Sequence, residues 1–378
     1  MASAGPLARG SSTATCTAAA KTARTAALKA YQRTMPAKRQ AFFRAHTDPA
    51  ARRKFVASQQ AKLKALRAAA ACVVTPSVVT PPGASIVASV AIPGDGPVAV
   101  GLGSVWVDDQ EDGQTDSTGM PVARLYRVDP KAGSVTGTIP RAYGDFATVF
   151  DGAVWLTWFD GNHLFRVDPG TNTATSTTTG SGDQGPEGLA GAGGQLWVAN
   201  HHGGNVTLVD PQTSSVTTAI PVAEIGINGV QALATDGSSV WVAYNRAGEV
   251  IRIDVATRTV VSRTVMPNVP CGGIAVDSTG VWATAGGCGG GGIMRIDPAT
   301  NKLAASVQAP GQPIADALAF GSVWVVDASP NELLRIDPAS NRIVGRLALP
   351  ATPDGIDADS GALWVRVRGA LLRIAPQP

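Results

Sequence analysis

The stretch Gly103-Ser104-Val105-Trp106-Val107 is the first copy of a phrase that recurs through most of this chain. A small or polar residue, an aliphatic residue and then tryptophan return around Trp155, Trp197, Trp241, Trp282, Trp324 and Trp364. The copies contain seven of the eight tryptophans and follow one another at steps of about 40 to 50 residues. A repeat of that length, with several short strands in each unit, is typical of propeller blades. The sequence therefore predicts an all-β, seven-bladed β-propeller.

A second phrase follows the tryptophan in most repeats. It reads Arg or Leu, then Ile or Val, then Asp-Pro, and it occupies residues 127–130, 166–169, 208–211, 295–298 and 335–338. Proline presets φ in a turn and aspartate bonds its own backbone there, so the phrase predicts a tight turn between two strands. Each blade is then expected to have an inner strand, a tryptophan strand, a third strand and an outer strand.

The two ends of the repeat region complement each other. The last repeat stops after its third strand, at residues 371–374, whereas residues 85–92 form a β-branched stretch with no partner in their own repeat. We expect residues 85–92 to supply the fourth strand of blade 7, because this closes the ring and removes open sheet edges. The propeller is thereby predicted to span residues 85–378.

The chain before the propeller has a different composition. Residues 1–15 are small and polar and are predicted to be disordered. Residues 16–75, rich in Ala, Lys and Arg, predict a helical module, and residues 76–84, with three prolines, predict a stiff linker. Pro36 is expected to end the first of three helices, and Asp48 to cap the third at Pro49. An apolar stripe in that helix is expected to pack on the first two helices or on the propeller, and it comprises Phe55, Val56, Leu63 and Leu66.

Charge is distributed unevenly along the chain. Residues 1–75 hold 14 of the 31 basic residues and one of the 28 acidic residues, which leaves 17 basic and 27 acidic residues for the remainder. A basic arm before an acidic body is either a solvated segment resting on the propeller or a binding surface for an anionic cell wall or membrane. Nucleic acid suits the arm least, because few aromatic rings are present to stack on bases.

The four cysteines predict an oxidising compartment. Their even number and the absence of a CxxC motif favour two disulfides, Cys16 with Cys72 and Cys271 with Cys288, over four buried thiols in a cytosolic protein. No run of about 18 apolar residues predicts a membrane span. A signal peptide is not evident in the first residues, yet the disulfides favour a secreted or cell-envelope protein.

The Gly-x-Val-Trp-Val and Arg-Ile-Asp-Pro-x-Thr-Asn phrases resemble those of bacterial YVTN/NHL-like propellers, in particular the virginiamycin B lyase-like (streptogramin lyase) group. The resemblance covers residues 85–378. It implies a metal-dependent C–O lyase that uses His and Glu from loops on one face. This chain departs from that pattern, because none of its propeller histidines, His163, His201 and His202, stands in a His-x-Glu arrangement.

One face of the predicted propeller carries the candidate ligand-binding residues. The turns before the inner strands and the loops after the tryptophan strands meet there, around the central channel. The candidates are Asp145, Trp158, Asn200, Tyr244, Asp316, Asp327 and Asp354. Carboxylates with few cations suit Ca²⁺ or Mg²⁺, or else they cap turns and meet water. Trp158 and the adjacent Phe159 suit stacking against a sugar or aromatic ligand, or one of them belongs to the core.

Two loops on this face have more specific patterns. Asp108, Asp112 and Asp116, with glycine at the sixth position, echo a calcium loop, although the twelfth position is Gly119 and not glutamate. The alternative is a solvated acidic loop. In the third repeat His201 and His202 follow the tryptophan strand, and histidine serves as a general base or a ligand near neutral pH. A polar turn is the alternative there, and at most one of two adjacent histidines is expected to act.

We therefore expect an exported propeller that binds a small molecule, a glycan or a protein on its channel face, with the basic helical module as an anchor or accessory. One alternative is a metal-assisted lyase or hydrolase that uses Glu187 and either His201 or His202 as catalytic residues, together with Asp316 and Asp354. The other is a cell-wall scaffold attached through residues 16–75. Ca²⁺ and Mg²⁺ are the only cofactors that the sequence indicates.

Overall fold

The computed structural model describes residues 15–16, 18–45, 48–70, 73–74, 83–109, 122–223, 229–288, 291–309 and 311–377. The chain divides into two compact units, residues 1–79 and residues 80–378. Residues 1–14 of the predicted disordered segment 1–15, and residues 76–82 of the predicted linker 76–84, lie outside the described part.

The first unit is a pair of helices. Helix α1 runs from Ala18 to Ala45 and helix α2 from Pro49 to Ala70, and a short parallel bridge joins Thr15–Cys16 to Val73–Val74. The expected break at Pro36 is wrong, because α1 continues through it, supported by the good helix formers on both sides. Of the described helices, neither combines the length and the apolarity that a membrane crossing requires.

The start and the inner face of α2 agree with the sequence. The carboxyl group of Asp48 accepts hydrogen bonds from the backbone N–H groups of Ala50, at 3.2 Å, and Ala51, at 2.8 Å, as expected of a helix cap. Phe55 of the apolar stripe stacks on Phe42 of α1, with 4.0 Å between the ring centroids. The stripe therefore packs within the helical unit at this residue.

The second unit is a ring of seven antiparallel four-stranded blades. From the inner to the outer edge, blade 1 contains Val98–Gly101, Ser104–Asp108, Arg124–Asp129 and Ser134–Pro140, and blade 2 contains Phe146–Phe150, Ala153–Trp158, His163–Asp168 and Thr173–Thr177. Blade 3 contains Pro186–Ala192, Gln195–Asn200, Asn205–Val209 and Val216–Pro221, and blade 4 contains Val230–Thr235, Ser239–Tyr244, Glu249–Asp254 and Thr259–Val265. Blade 5 contains Ile274–Asp277, Gly280–Thr284, Ile293–Asp297 and Lys302–Val307, and blade 6 contains Pro313–Ala319, Ser322–Asp327, Glu332–Asp337 and Arg342–Ala348. Blade 7 contains Pro353–Ala358, Leu363–Val367, Ala370–Pro376 and Ala84–Ala91.

The strand at Ala84–Ala91 closes the ring as predicted. It pairs antiparallel with Ala370–Pro376, with Ile86 opposite Ile374 and Ala91 opposite Ala370. The first strand of the unit and the last three strands thus form one sheet. This arrangement holds the two ends of the repeat region together and leaves no open gap between blade 7 and blade 1.

The seven repeated tryptophans form the packing layer between neighbouring blades. Each is buried, with at most 1% of its surface exposed. Trp241 of blade 4, for example, packs against Val281 of blade 5. In six blades an arginine of the third strand lies over the indole ring, with its guanidinium carbon 4.9 to 5.9 Å from the ring centroid. The arginine of the Asp-Pro phrase is therefore a partner of the tryptophan phrase.

Several of these arginines also tie one blade to the next. Arg127, Arg252 and Arg295 each donate from Nη1 to the carbonyl oxygen of the Asp-Pro proline of the following blade, at 2.8 Å. Between blades 3 and 4 this contact is replaced by an apolar one, because Leu208 stands at the arginine position and Val255 at the proline position. The two phrases together thus explain how one blade fixes its neighbour.

Candidate functional site

A cluster of imidazole, carboxylate and aromatic side chains lies where blades 2 and 3 meet, and we call it the blade 2–3 rim. It comprises Phe159, Asp183, Glu187, His201 and His202. Phe159 follows the tryptophan strand of blade 2, and the two histidines follow that of blade 3. Glu187 lies at the start of the inner strand of blade 3, and Asp183 lies in the loop that leads to it.

Glu187 and His201 form a carboxylate–imidazole pair. Oε1 of Glu187 lies 3.1 Å from Nδ1 of His201, and the two side chains are 13% and 22% exposed. The atoms are within ion-pair distance, but Nδ1 is not aligned for a hydrogen bond, and Oε2 of Glu187 also has no hydrogen-bond partner among the described residues. Both groups therefore keep unused hydrogen-bonding capacity at a half-buried site.

His202 forms a second and more exposed pair. Its Nδ1 lies 2.9 Å from Oδ2 of Asp183, whose side chain is 70% exposed. The ring of Phe159 packs edge-on against both imidazoles, with centroid distances of 5.5 Å to His201 and 4.7 Å to His202. An aromatic face thus borders two imidazoles and two carboxylates, which is a composition suited to a ligand with both flat and polar parts.

Backbone hydrogen bonds hold the histidine loop in place. The N–H of His201 donates to the carbonyl oxygen of Gly185 at 2.8 Å, and the N–H groups of His202 and Gly203 donate to that of Gln184 at 2.9 and 3.0 Å. The N–H of Gln184 in turn donates to Oδ1 of Asn162 in blade 2, at 3.0 Å. The loop before Glu187 therefore connects the two blades and positions both histidines.

Phe159 is positioned in a similar way by a residue of the channel face. Its N–H donates to Oδ2 of Asp145, at 2.8 Å. Asp145 was predicted to bind ligand, and its carboxylate lies beside the rim as a support for the Phe159 backbone.

Three of the sequence-predicted ligand residues are part of the protein interior. Asn200 is fully buried and its amide donates to Oδ1 of Asn205 and to Oγ1 of Thr207. Trp158 is 6% exposed and packs in the core of blades 1 and 2, so Phe159 is the aromatic of this loop that is partly accessible. Tyr244 is 4% exposed and belongs to the core between blades 3 and 4.

Two predicted carboxylates bind backbone amides inside the propeller. Oδ1 of Asp327 accepts hydrogen bonds from the N–H groups of Gln312, at 2.6 Å, and Ser329, at 3.0 Å. Oδ2 of Asp108 accepts one from the N–H of Gly144, at 2.6 Å, and Asp108 is fully buried. The other two residues of the predicted calcium loop, Asp112 and Asp116, lie outside the described residues.

Asp316 and Asp354 line the central channel, a cavity of about 490 Å³ bordered by the inner strands of all seven blades. Burial raises the pKa of Asp316 to about 8. Burial, together with the negative charge of Asp95, raises the pKa of Asp354 to about 6. These two groups are thus separate in position from the rim and different in chemistry.

A metal centre of the lyase type does not fit the donors present. Among the residues that the structure describes, no three His, Cys, Asp or Glu side chains converge as metal ligands. The rim offers two separate pairs, one at Glu187 and one at Asp183, and each carboxylate serves its own histidine. Its chemistry is accordingly that of acid–base and hydrogen-bonding groups.

Cys271 and Cys288 form the predicted disulfide, with 5.7 Å between the Cα atoms. It joins the segment before the inner strand of blade 5 to the segment after its tryptophan strand, on the face of the rim. A disulfide fits an extracellular protein. The predicted Cys16–Cys72 pair lies outside the residues whose side chains the structure describes.

Sequence reasoning missed Asp183, Gln184 and Asn162 at this site. Asp183 and Gln184 belong to a Gly- and Ser-rich loop that has no strand pattern, and Asn162 belongs to a turn of the preceding blade. Their proximity to the histidines depends on the contact between blades, which a single repeat does not reveal. The one feature of the sequence that could have identified Asp183 and Gln184 is their position a few residues before Glu187, at the entrance to the inner strand of blade 3.

Comparison with known proteins supports the fold. No protein-family model matches the chain, and no curated protein matches its sequence. The structure is similar to a catalytically inactive histidine-to-alanine variant of virginiamycin B lyase from Staphylococcus aureus with quinupristin (16% identity, TM-score 0.64, covering 77% of this chain and 99% of that one). It is also similar to a streptogramin B lyase (16%, TM-score 0.65, 78% and 98%) and to Kuenenia stuttgartiensis hydrazine synthase (12%, TM-score 0.62, 76% and 97%). The resemblance to the streptogramin lyase group is confirmed at the level of the fold.

Proposed function

We propose that the protein binds a small molecule with a flat apolar part and a polar part at the blade 2–3 rim. The observation that supports this most is the contact of the Phe159 ring with two imidazoles, each of which faces its own carboxylate. The aromatic ring offers apolar contact area, and the unused hydrogen-bonding capacity of Glu187 and His201 fixes the polar part.

Quinupristin is the probe for this proposal, because a structurally similar protein is known with it. Titration of the full chain with quinupristin should show saturable binding, and Phe159→Ala and His201→Gln should each weaken it about tenfold, the loss of roughly one strong contact. Isothermal titration calorimetry measures this. Phe320→Ala is the matched control, since Phe320 is exposed in the turn between the inner and tryptophan strands of blade 6, at the opposite end of those strands.

The proposal predicts that Phe320→Ala binds quinupristin like the unaltered chain. Absence of saturable binding would contradict it. So would an equal loss of affinity in Phe159→Ala and Phe320→Ala, because the loss would then be unrelated to the rim.

A second candidate function is a C–O lyase or hydrolase activity at the same rim. It is favoured by the Glu187–His201 pair, since a histidine held beside a carboxylate is a suitable general base. In elimination His201 would take the proton from the carbon next to the breaking C–O bond, and the electrons of that C–H bond would form the double bond as the oxygen leaves. In hydrolysis His201 would take a proton from the attacking water. In both cases the carboxylate of Glu187 would stabilise the imidazolium, which would return the proton to the leaving oxygen.

The two reactions differ in their products. Elimination by a lyase opens a cyclic substrate without changing its mass, whereas hydrolysis adds the mass of one water. Mass spectrometry after incubation with quinupristin should show one of these products. His201→Gln and Glu187→Gln should each slow its formation about 100-fold or more. Unaltered quinupristin after prolonged incubation would exclude the enzymatic candidate and leave binding.

The helical unit is proposed to attach the protein to an anionic cell-envelope surface, with the protein itself exported. Among the side chains that the structure describes in this unit, the exposed cations are Lys29, Lys38, Arg44, Lys54 and Lys62. The full chain should co-sediment with phosphatidylglycerol vesicles and not with phosphatidylcholine vesicles, and Lys54→Gln with Lys62→Gln should weaken this. Raising the salt to about 1 M should release it, because the Debye length falls to about 3 Å. Equal binding to both kinds of vesicle would contradict an electrostatic anchor.

A further inference from the structure

Each blade contributes one inner-strand residue at the same level of the central channel. In each blade this residue pairs with the residue of the tryptophan strand that comes directly after the tryptophan. The seven are Val98, Ala147, Leu189, Leu233, Ile274, Asp316 and Ile356, and all of them line the channel. We call these seven residues the collar of the channel. Six of them are apolar, and the seventh, Asp316 of blade 6, carries a carboxyl group.

The Asp316 carboxyl has no partner that explains its position. Neither oxygen contacts solvent, and neither has a hydrogen-bond partner among the described residues. It lies against the inner strand of blade 5, where a Cβ atom added to Gly273 would clash with Oδ1. A buried polar group without a partner lowers stability, and so such a group is usually retained for another reason.

A second buried aspartate, one register step away in blade 7, shows the contrast. Oδ2 of Asp357 accepts a hydrogen bond from the N–H of Val100, at 2.7 Å, and Oδ1 accepts one from the N–H of Ala358, also at 2.7 Å. Asp357 therefore joins blade 7 to blade 1, and its role is structural. No comparable role is available to Asp316.

The channel around Asp316 has one sign of charge. Its charged lining residues are Asp95, Asp145, Asp316 and Asp354, and no lysine, arginine or histidine lines it among the described residues. Asp95 is paired with Arg368 at 3.1 Å, and Asp145 is bonded to the N–H of Phe159. Neither oxygen of Asp316, nor Oδ2 of Asp354, has a hydrogen-bond partner among the described residues. The positive charges of Arg366 and Arg368 act on Asp354, whereas no charged group of the described residues acts on Asp316 in this way. An acidic, low-dielectric channel attracts cations.

The geometry selects the kind of cation. A metal ion needs several converging ligands, and no three such side chains converge in the described part of the chain. An alkylammonium group needs fewer, because its three N–H donors are satisfied by one carboxylate together with backbone carbonyls. The apolar collar suits a hydrocarbon body, and a volume of about 490 Å³ is that of a small-molecule site.

We propose that the central channel binds an organic amine with an apolar body, whose ammonium group is held by the Asp316 carboxylate. In this proposal the Asp316 carboxyl rotates towards the channel and accepts a charge-assisted hydrogen bond from the ammonium group, which gives its oxygens the partner that they otherwise lack. The site is independent of the blade 2–3 rim, since none of the five rim residues lines the channel.

Calorimetric titration of the full chain with cyclohexylamine tests the inference, with cyclohexanol as the neutral counterpart. We expect one amine per chain, and affinity at least about tenfold lower for cyclohexanol and for the Asp316→Asn variant. Because the pKa of Asp316 is raised to about 8, binding at pH 7 should also release a proton, seen as a heat that depends on the buffer. Asp129→Asn, at an exposed turn, is the control and should bind as the unaltered chain does.

Three results would overturn the inference. One is no cyclohexylamine binding at concentrations up to about 10 mM, where even a small ligand of ordinary efficiency binds. Another is equal affinity of the unaltered chain and Asp316→Asn. The third is equal affinity for cyclohexylamine and cyclohexanol. Asp316→Leu keeps the test independent of folding defects, because blades 3 and 4 carry leucine and blades 5 and 7 carry isoleucine at the same level.

Discussion

Replacing Trp241 by alanine is expected to lower the free energy of unfolding of the propeller by about 3 to 5 kcal/mol. The indole is fully buried between blades 4 and 5, and its Nε1 donates to Oδ2 of Asp236 at 3.2 Å. Its removal leaves a cavity and also deprives Arg252 of the ring over which its guanidinium lies, at 4.9 Å. Urea unfolding monitored by far-ultraviolet circular dichroism measures the change.

Val265→Ala is the control for this prediction. Val265 lies in the outer strand of the same blade and is 71% exposed, so its truncation should change the unfolding free energy by no more than about 0.5 kcal/mol. A loss below about 1 kcal/mol for Trp241→Ala would mean that the repeated tryptophan is not what holds neighbouring blades together.

Replacing Asp316 by leucine is expected to stabilise the propeller at pH 7, by about 2 to 4 kcal/mol. Burial raises the pKa of Asp316 from 3.8 to about 8. Between these two values the unfolded chain loses the proton of this carboxyl while the folded chain keeps it. The contribution of Asp316 to stability is therefore fully present below about pH 4 and is lost as the pH rises towards 8.

The stability gain of Asp316→Leu should accordingly grow with pH, from small at pH 4 to largest near pH 8. Thermal or urea unfolding at several pH values checks this. Asp357→Leu is the matched variant, because Asp357 is also buried but accepts two backbone hydrogen bonds. Burial raises the pKa of Asp357 as well, to about 6, so its replacement also becomes more favourable as the pH rises. At every pH it should still be less favourable than Asp316→Leu, since the N–H of Val100 loses its partner. Equal effects of the two replacements, or no gain from Asp316→Leu, would contradict this explanation.

If Asp316→Leu stabilises the propeller and also abolishes amine binding, then the Asp316 carboxyl lowers stability and is needed for the ligand. Functional groups are often retained at a cost in stability. The carboxyl would then be present for the ligand, and the other six residues of the collar would be present for packing.

The propeller was predictable from the sequence because the phrases that specify a blade are repeated along the chain. The tryptophan and Asp-Pro phrases specify the same two contacts in most blades, so each copy supports the others. The strand at residues 84–91 was predictable for a related reason, since the last repeat lacked its outer strand. The continuation of α1 through Pro36 was missed, because the proline was taken to end the helix and the helix-forming residues on both sides of it were not weighed against it.

The candidate site was only partly predictable. Glu187 and the two histidines were identified from their positions after strands, and the distance of 3.1 Å between Glu187 and His201 follows from the hairpin between their strands. Burial of Asn200, Trp158 and Tyr244 was missed, because each of them ends a tryptophan strand that stays buried on both faces up to its last residue. The role of Asp183 depends on the packing of blade 2 on blade 3, which no single repeat encodes.

Hydrogen exchange with and without quinupristin tests the location of the binding site most directly. Exchange should slow in residues 157–162, 180–187 and 200–204, which contain the five residues of the blade 2–3 rim, and should not change in the turns at residues 236–238 and 320–321. Protection confined to other blades, or spread evenly over the ring, would contradict a site built from Phe159, Glu187 and His201.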